Sequence, residues 1–174
     1  MSGGMRLQKN DCAMNAEDDR RFVGKSRRLA QVFQNYANPI YFVTAVSAKR
    51  QAWLADNAIH AALLTYGTDN ARHGRAIGRY VIMPDHLHFF VRLMPEARLG
   101  VFVKLLKQAL TKTARGAGNE ESHLWQPGFF DHLVRHSESY AEKWQYVLQN
   151  PVRAGLVASA EEWPYQGEIV RLDM

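Results

Sequence analysis

Apolar and polar positions divide this chain into short elements. Ile40 to Val46 is β-rich and bounded by Asn38-Pro39 and Lys49-Arg50, which predicts a strand. Between Trp53 and Tyr66, apolar side chains recur at helical spacing through Leu54, Ala58, Ile59, Ala62 and Leu63. An amphipathic helix is expected there, with Gly67 as its stop. Arg75 to Met83 and His86 to Leu93 are two further β-rich runs separated by Pro84-Asp85. They form either a hairpin or one strand broken by a bulge, and pattern alone leaves both open. The clearest helix is Leu99 to Arg115. Leu99, Phe102, Leu105, Leu106, Ala109, Leu110 and Thr113 line one face, and Gly116 and Gly118 end it. Leu124 to Val134 reads as one or two short strands around Pro127-Gly128. Ser137 is placed to cap a helix running from Glu138 towards Asn150, where Pro151 disfavours continuation.

The flanks are less patterned. Met1 to about Asn35 is mixed and polar with a basic cluster at Lys25, Arg27 and Arg28, and reads as a partly ordered arm with one short helix. Arg153 to Met174 reads as a loop and extended cover over the core. Residues 36–174 are expected to form one domain. The order strand, helix, strands, helix, short strands, helix implies an α+β sandwich: a mainly antiparallel sheet with helices packed on one face.

Composition narrows the class. A chain of 174 residues suits one sizeable core. Its single cysteine, Cys12, excludes an internal disulfide and a zinc–thiolate cluster. No apolar run approaches the ~20 residues needed to cross a bilayer, and the first ten residues lack the apolar stretch of a secretory signal. The expected location is cytoplasmic, with no membrane partner. A formal net charge of +5 and a pI near 9.5 favour a polyanionic partner, because Lys and Arg that neutralise phosphates release counterions. Lys104, Lys107, Lys112 and Arg115 on the basic helix and the Lys25 to Arg28 cluster are the candidate contacts.

Two stretches carry possible chemistry. His86 and His88 are two apart in a β-rich run, so both imidazoles point to one face, while Leu87 and Phe89 point to the other. Two imidazoles from one strand are the start of a metal site, although a bare His-x-His is also an ordinary core or surface pair until further ligands appear. Tyr146 and Asn150 are four apart on the last predicted helix and so share a face. An asparagine carbonyl combined with imidazoles suits Mg²⁺ or Mn²⁺, and a tyrosine hydroxyl beside such an ion could attack phosphorus. For Tyr146 taken alone, core packing with Trp144 and Val147 is the competing reading.

These stretches resemble a known family. Met83-Pro84-Asp85-His86-Leu87-His88 resembles the histidine-hydrophobic-histidine motif of HUH endonucleases, in their single-tyrosine, IS200-like transposase branch. Leu105-Leu106-Lys107-Gln108 resembles the basic helix that follows. Leu124 to Phe130 resembles a tryptophan-led strand region. Tyr146 to Gly155, ending Asn-Pro-Val-Arg-Ala-Gly, looks like the tyrosine helix of REP-associated tyrosine transposases. The likeness covers about Tyr41 to Trp163. It departs after Trp163-Pro164, where Tyr165-Gln166 stands in place of serines, and the N-terminal arm matches only loosely.

The resemblance implies a ferredoxin-like sandwich with the histidines on a central strand. It implies a monomer that cuts and rejoins single-stranded DNA near hairpins of repetitive palindromes, with His86, His88 and Asn150 holding Mg²⁺ or Mn²⁺. Tyr146 would form a 5′-phosphotyrosine, and Arg153 would join the DNA-binding residues. Two other readings remain: a hairpin-binding protein that has lost cleavage, and a metal hydrolase working through activated water. A covalent protein–DNA adduct separates the first reading from both.

Overall fold

The computed structural model describes residues 39–173. Lys25, Arg27, Arg28 and the expected arm lie outside the described residues.

Five strands form one antiparallel sheet: β1 (Ile40–Val46), β2 (Arg75–Ile82), β3 (His86–Leu93), β4 (Phe130–Val134) and β5 (Gln166–Glu168), in the order β4-β1-β3-β2-β5. The helices are α1 (Asn57–Ala71), α2 (Leu99–Gly116), α3 (Ser137–Leu148) and the single turn α4 (Asn150–Arg153). The first six long elements run βαββαβ with β1 and β3 at the centre, which is the ferredoxin-like arrangement. β5, drawn from the expected extended cover, adds to β2 at the edge.

Pro84-Asp85 makes a hairpin. Met83 N–H donates to the His86 carbonyl at 2.8 Å, closing a two-residue turn. The alternative of a bulge also occurs, but inside β2, where the register with β3 shifts between Ile77 and Tyr80. Gly78 sits within that shift, and a Cβ there would lie 2.6 Å from Leu172. The hairpin turn is pinned from the side. Ser47 N–H donates to the Asp85 carbonyl, and the N–H groups of Trp53 and Leu54 donate to that of Pro84.

One face of the sheet is apolar except at its margins, where Asp131 lies opposite Val43 and Arg75 opposite Leu93. Val43, Ile77, Leu87, Phe89 and Val91 are buried on this face, under α1 and α2. α2 buries Phe102, Val103, Leu106, Leu110 and Ala114. This stripe is rotated from the expected one, since Leu105 is exposed while Val103 and Ala114 point inward. The expected sandwich is therefore found, with the two long helices on one face. α3 adds a feature the pattern did not contain: it packs on the opposite, histidine-bearing face. Tyr140 joins a cluster with Ile40, Ala76, Phe90 and Val134, and Val147 joins one with Val81, Met83 and Trp163.

Both ends of α1 differ from expectation, and Ser137 opens α3 as its first helical residue, with His136 rather than Ser137 at the cap position. α1 starts at Asn57, not Trp53, because the Asp56 carboxylate accepts from the N–H groups of Ala58 and Ile59 and caps it. Trp53 instead stands edge-on to Trp125, ring centroids 4.9 Å apart. Gly67 does not stop α1. The helix runs to Ala71, and a Cβ at Gly67 would lie 2.5 Å from Ile169, so the glycine allows the C-terminal cover to sit close.

Candidate functional site

His86 and His88 project from the central strand β3 on one face, as alternation requires. Their rings meet edge-on with centroids 4.7 Å apart. Each ring is held from behind. The Nδ1 of His88 is 2.8 Å from the Thr44 hydroxyl, and Thr44 is the residue directly opposite on β1. The Nδ1 of His86 is 2.6 Å from the Asp85 carboxylate, which Arg50 approaches at 3.4 Å. With Nδ1 engaged in both rings, Nε2 is the atom each presents to a ligand. Imidazoles fixed in this way by outer partners are typical of metal ligands.

Electrostatics keep His88 in its neutral, ligating form. Burial, and next the adjacent His86 ring, hold its protonation well below the ordinary histidine range. Arg50 and Arg153 act in the same direction and Asp85 opposes them. Asp85 is itself held below the usual carboxylate range, chiefly by its hydrogen bond to His86. Lys49 and Arg50, just after β1, both adopt left-handed backbone, with φ of 53° and 56°. For residues with a Cβ this costs about 1–3 kcal/mol each, and such strain is concentrated at functional sites.

α3 lies across the same face. Phe42 stacks on His88 with centroids 5.5 Å apart and an interplanar angle of 15°. Lys143 of α3 sits over that Phe42 ring at 5.9 Å. Val147 joins a buried cluster with Val81, Met83 and Trp163, and Val81 is the strand residue paired with His88. Its neighbour Tyr146 is 52% exposed, whereas Tyr140 is 8% exposed, with its ring 4.2 Å from that of Phe90. Core packing therefore falls to Tyr140, not Tyr146. Burial also raises the Tyr140 phenol above its ordinary pKa.

Asn150 is not on the tyrosine helix. α3 ends at Leu148 and Asn150 opens α4, with Pro151 next to it. The expected single helix is thus two, and the four-residue spacing survives across a junction at Gln149. Arg153 bridges that junction, donating to the Tyr146 carbonyl oxygen at 2.6 Å and to Asn150 Oδ1. Among the described residues, no group of three His, Cys, Asp or Glu side chains converges as a metal cage. A cation at the histidines would need an amide, water or substrate oxygen to complete its shell, and Asn150 is the nearest in chemistry to that need.

The basic residues of α2 separate into two kinds. Lys104, Lys112 and Arg115 are exposed. Lys107 is half-buried over the Trp125 ring and donates to the carbonyls of Gln126 and Gly128, while burial pushes its amine down to about 8. Trp125 returns the contact through Nε1 to the Lys107 carbonyl. Lys107 thus clamps the Trp125 segment to α2. Lys107→Met is expected to lower stability by about 1–2 kcal/mol, since carbonyls lose a charged donor; urea unfolding at neutral pH checks this. Thr44, Phe42, Arg50 and Asp85 were not singled out from the sequence. Asp85 adjoins the motif and was open to view, but Thr44 and Phe42 reach the histidines only through the β1–β3 register.

Fold and site together define an α+β sandwich with a fixed histidine pair on a central strand and a tyrosine-bearing helix across the same face. The model of one family, transposase IS200 like, matches residues 35–150. The chain belongs to the IS200-like transposase family. It is 32% identical to a Haemophilus influenzae protein named as a REP-associated tyrosine transposase, across 48% of this chain and 53% of that one. It is 27% identical to the REP-associated tyrosine transposase of Escherichia coli, across 51% of this chain and 52% of that one. The chain thus spans about half the length of the curated relatives it matches. A solved structure of a REP-associated tyrosine transposase bound to a REP hairpin superposes with a TM-score of 0.61 at 22% identity, covering 74% of this chain and 75% of that chain. At that identity the likeness is one of fold. Among the described residues no helix is long and apolar enough to cross a membrane.

Proposed function

We propose that this protein cuts and rejoins single-stranded DNA beside hairpins through Tyr146. The observation that carries the proposal is the pair of imidazoles, each fixed at Nδ1, lying on the face that α3 covers. The Tyr146 hydroxyl attacks the scissile phosphorus and loses its proton. A phosphotyrosine bond forms to the 5′ side, the P–O3′ bond breaks, and the departing 3′ oxygen takes up a proton. Because the new bond is also a phosphodiester, a 3′-hydroxyl can displace the tyrosine and rejoin the strand.

His86, His88 and Asn150 would hold Mg²⁺ or Mn²⁺. Two nitrogen donors and one amide oxygen leave room for water and phosphate, which suits these ions better than zinc. When bound, the ion would polarise the phosphate and orient it in line. The residues themselves supply the rest: Thr44 and Asp85 fix the two rings, and burial keeps His88 unprotonated. We read the histidine and tyrosine parts of one chain as a complete site. The guanidinium of Arg153, tied to the tyrosine segment, is felt electrostatically at His88 of the same chain.

Hairpin DNA as substrate rests on the named relatives together with the exposed Lys104, Lys112 and Arg115. The N-terminal basic arm, residues 1–35, is proposed as a further contact beside the domain at 36–174. A hairpin with a single-stranded flank is expected to bind better than plain duplex. Lys104→Ala should weaken binding across sequences and reduce the salt slope by about 1. Fluorescence anisotropy at several salt concentrations checks both statements. Equal affinity for hairpin, random single strand and duplex would refute the selectivity.

A further inference from the structure

Tyr146 and Asn150 belong to different helices, and one side chain joins them. Gln149 at the junction has φ −85° and ψ −1°, and Pro151 has no N–H with which to continue the α3 ladder. Helical hydrogen bonding alone therefore does not fix how the tyrosine ring and the amide oxygen stand relative to each other. The Arg153 guanidinium does three things at this point. It lies over the Tyr146 ring at 4.1 Å from the centroid, it donates to the Tyr146 carbonyl, and it donates to Asn150 Oδ1.

The backbone that carries Arg153 is itself tightly set. Arg153 N–H donates to the Gln149 carbonyl, Ala154 N–H to that of Asn150, and Leu156 N–H to that of Pro151, each at 2.9 Å. Gly155 ends the turn with φ at +69°, a conformation that a residue with a Cβ adopts only with strain. The Asn-Pro-Val-Arg-Ala-Gly ending thus has a physical reading. It is a one-turn helix with a glycine stop, and it delivers a guanidinium back onto the preceding helix.

We propose that Arg153 is a positioning residue, which locks the Tyr146 ring and the Asn150 amide oxygen into one unit across the break. The proposal rests on the reading of Tyr146 and Asn150 as partners in one site. A planar guanidinium can stack on a ring and donate in its own plane at the same time, which an ammonium cannot. Donation to Oδ1 fixes the orientation of the Asn150 amide and leaves that oxygen a second lone pair. The guanidinium charge opposes a cation there, as it opposes protonation of His88, so in this proposal the gain in orientation outweighs the repulsion. This differs from a phosphate contact, which would act on DNA affinity.

The test uses the full chain with Asn150→Ala, Arg153→Ala and Arg153→Lys. Mn²⁺ binding is read by electron paramagnetic resonance without DNA. Adduct formation is read under single-turnover conditions with a hairpin carrying a single-stranded flank, and DNA affinity is read at several salt concentrations. Both Arg153 variants should lower Mn²⁺ affinity and adduct rate by about 10- to 100-fold, the range for outer-sphere partners. DNA affinity should stay within about twofold and the salt slope should not change. Lysine should fail to rescue. Loss of DNA affinity in Arg153→Ala, with a salt slope reduced by about 1 and restored by lysine, would make Arg153 a phosphate contact and overturn the proposal. Unchanged Mn²⁺ affinity and rate would overturn it too. Unaltered Mn²⁺ binding in Asn150→Ala would instead fail the parent reading of Asn150 as a ligand, and the proposal with it.

Discussion

Tyr146→Phe is expected to abolish the covalent protein–DNA adduct while leaving fold and DNA binding in place, and Tyr140→Phe is expected to keep the adduct. The two tyrosines share α3, so position on the helix decides between them. Six residues at ~100° each turn the direction by about 600°, so the side chains point roughly 120° apart. Tyr140 points into the sheet, where it is 8% exposed against Phe90. To reach a phosphate it would have to leave the core. Tyr146 is 52% exposed on the part of α3 whose Val147 shares a buried cluster with Val81, the strand residue paired with His88. Loss of a nucleophilic oxygen cannot be compensated by binding, so the expected change is from adduct to none. Tyr140→Phe should cost little stability, because its hydroxyl lacks a side-chain partner among the described residues. Gel shift for binding and a denaturing gel for adduct separate the two variants.

The second large effect is expected at the histidines. His86→Ala or His88→Ala should lower cleavage by about 10²- to 10⁴-fold, the loss expected when several kcal/mol of charge stabilisation at the phosphate disappear. Most DNA affinity should remain, because it comes from basic residues elsewhere. Excess chelator should do the same to the unaltered protein, and added Mn²⁺ should restore it. Thr44→Val, which removes the partner of His88 Nδ1, should give a milder loss of about 10- to 100-fold. A mixture of the His86→Ala and Tyr146→Phe proteins should stay inactive, since one chain is proposed to hold the whole site. Recovery in the mixture would mean that the site is shared between chains.

Much of this architecture was legible because burial imposes a period. Alternation in His86 to Leu93 placed both imidazoles on one face, and the strand pairing bears this out. The helix from Leu99 was legible for the same reason. Boundaries set by single polar contacts were not. Asp56 takes the cap of α1, so Trp53 is released to Trp125, and nothing in the spacing of apolar residues announces that exchange. Gly67 looked like a stop because glycine often is one, yet its role here is set by Ile169, a hundred residues away. The face chosen by α3 depends on tertiary packing as well. An amphipathic helix records that it buries a stripe, not which side of a sheet receives it.

Lys107 and Arg153 make the same point for the site. Both looked like cations for phosphate. One is turned onto the carbonyls of Gln126 and Gly128, and the other onto Tyr146 and Asn150. Both still add to the field that steers a polyanion, and Arg153 remains exposed, but composition does not show that their hydrogen bonds are made within the protein. The partners of the histidine rings were hidden for another reason. Thr44 lies 44 residues before His88, and only the β1–β3 register brings them within 2.8 Å.

The most direct measurement incubates the protein with a single-stranded hairpin oligonucleotide and Mn²⁺, then maps the product by proteolysis and mass spectrometry. The proposed chemistry predicts a peptide carrying the 5′-phosphate end of the cut strand on Tyr146, formed only with divalent metal. Cleavage with no DNA-bound peptide, or DNA attached to Tyr140, would contradict it.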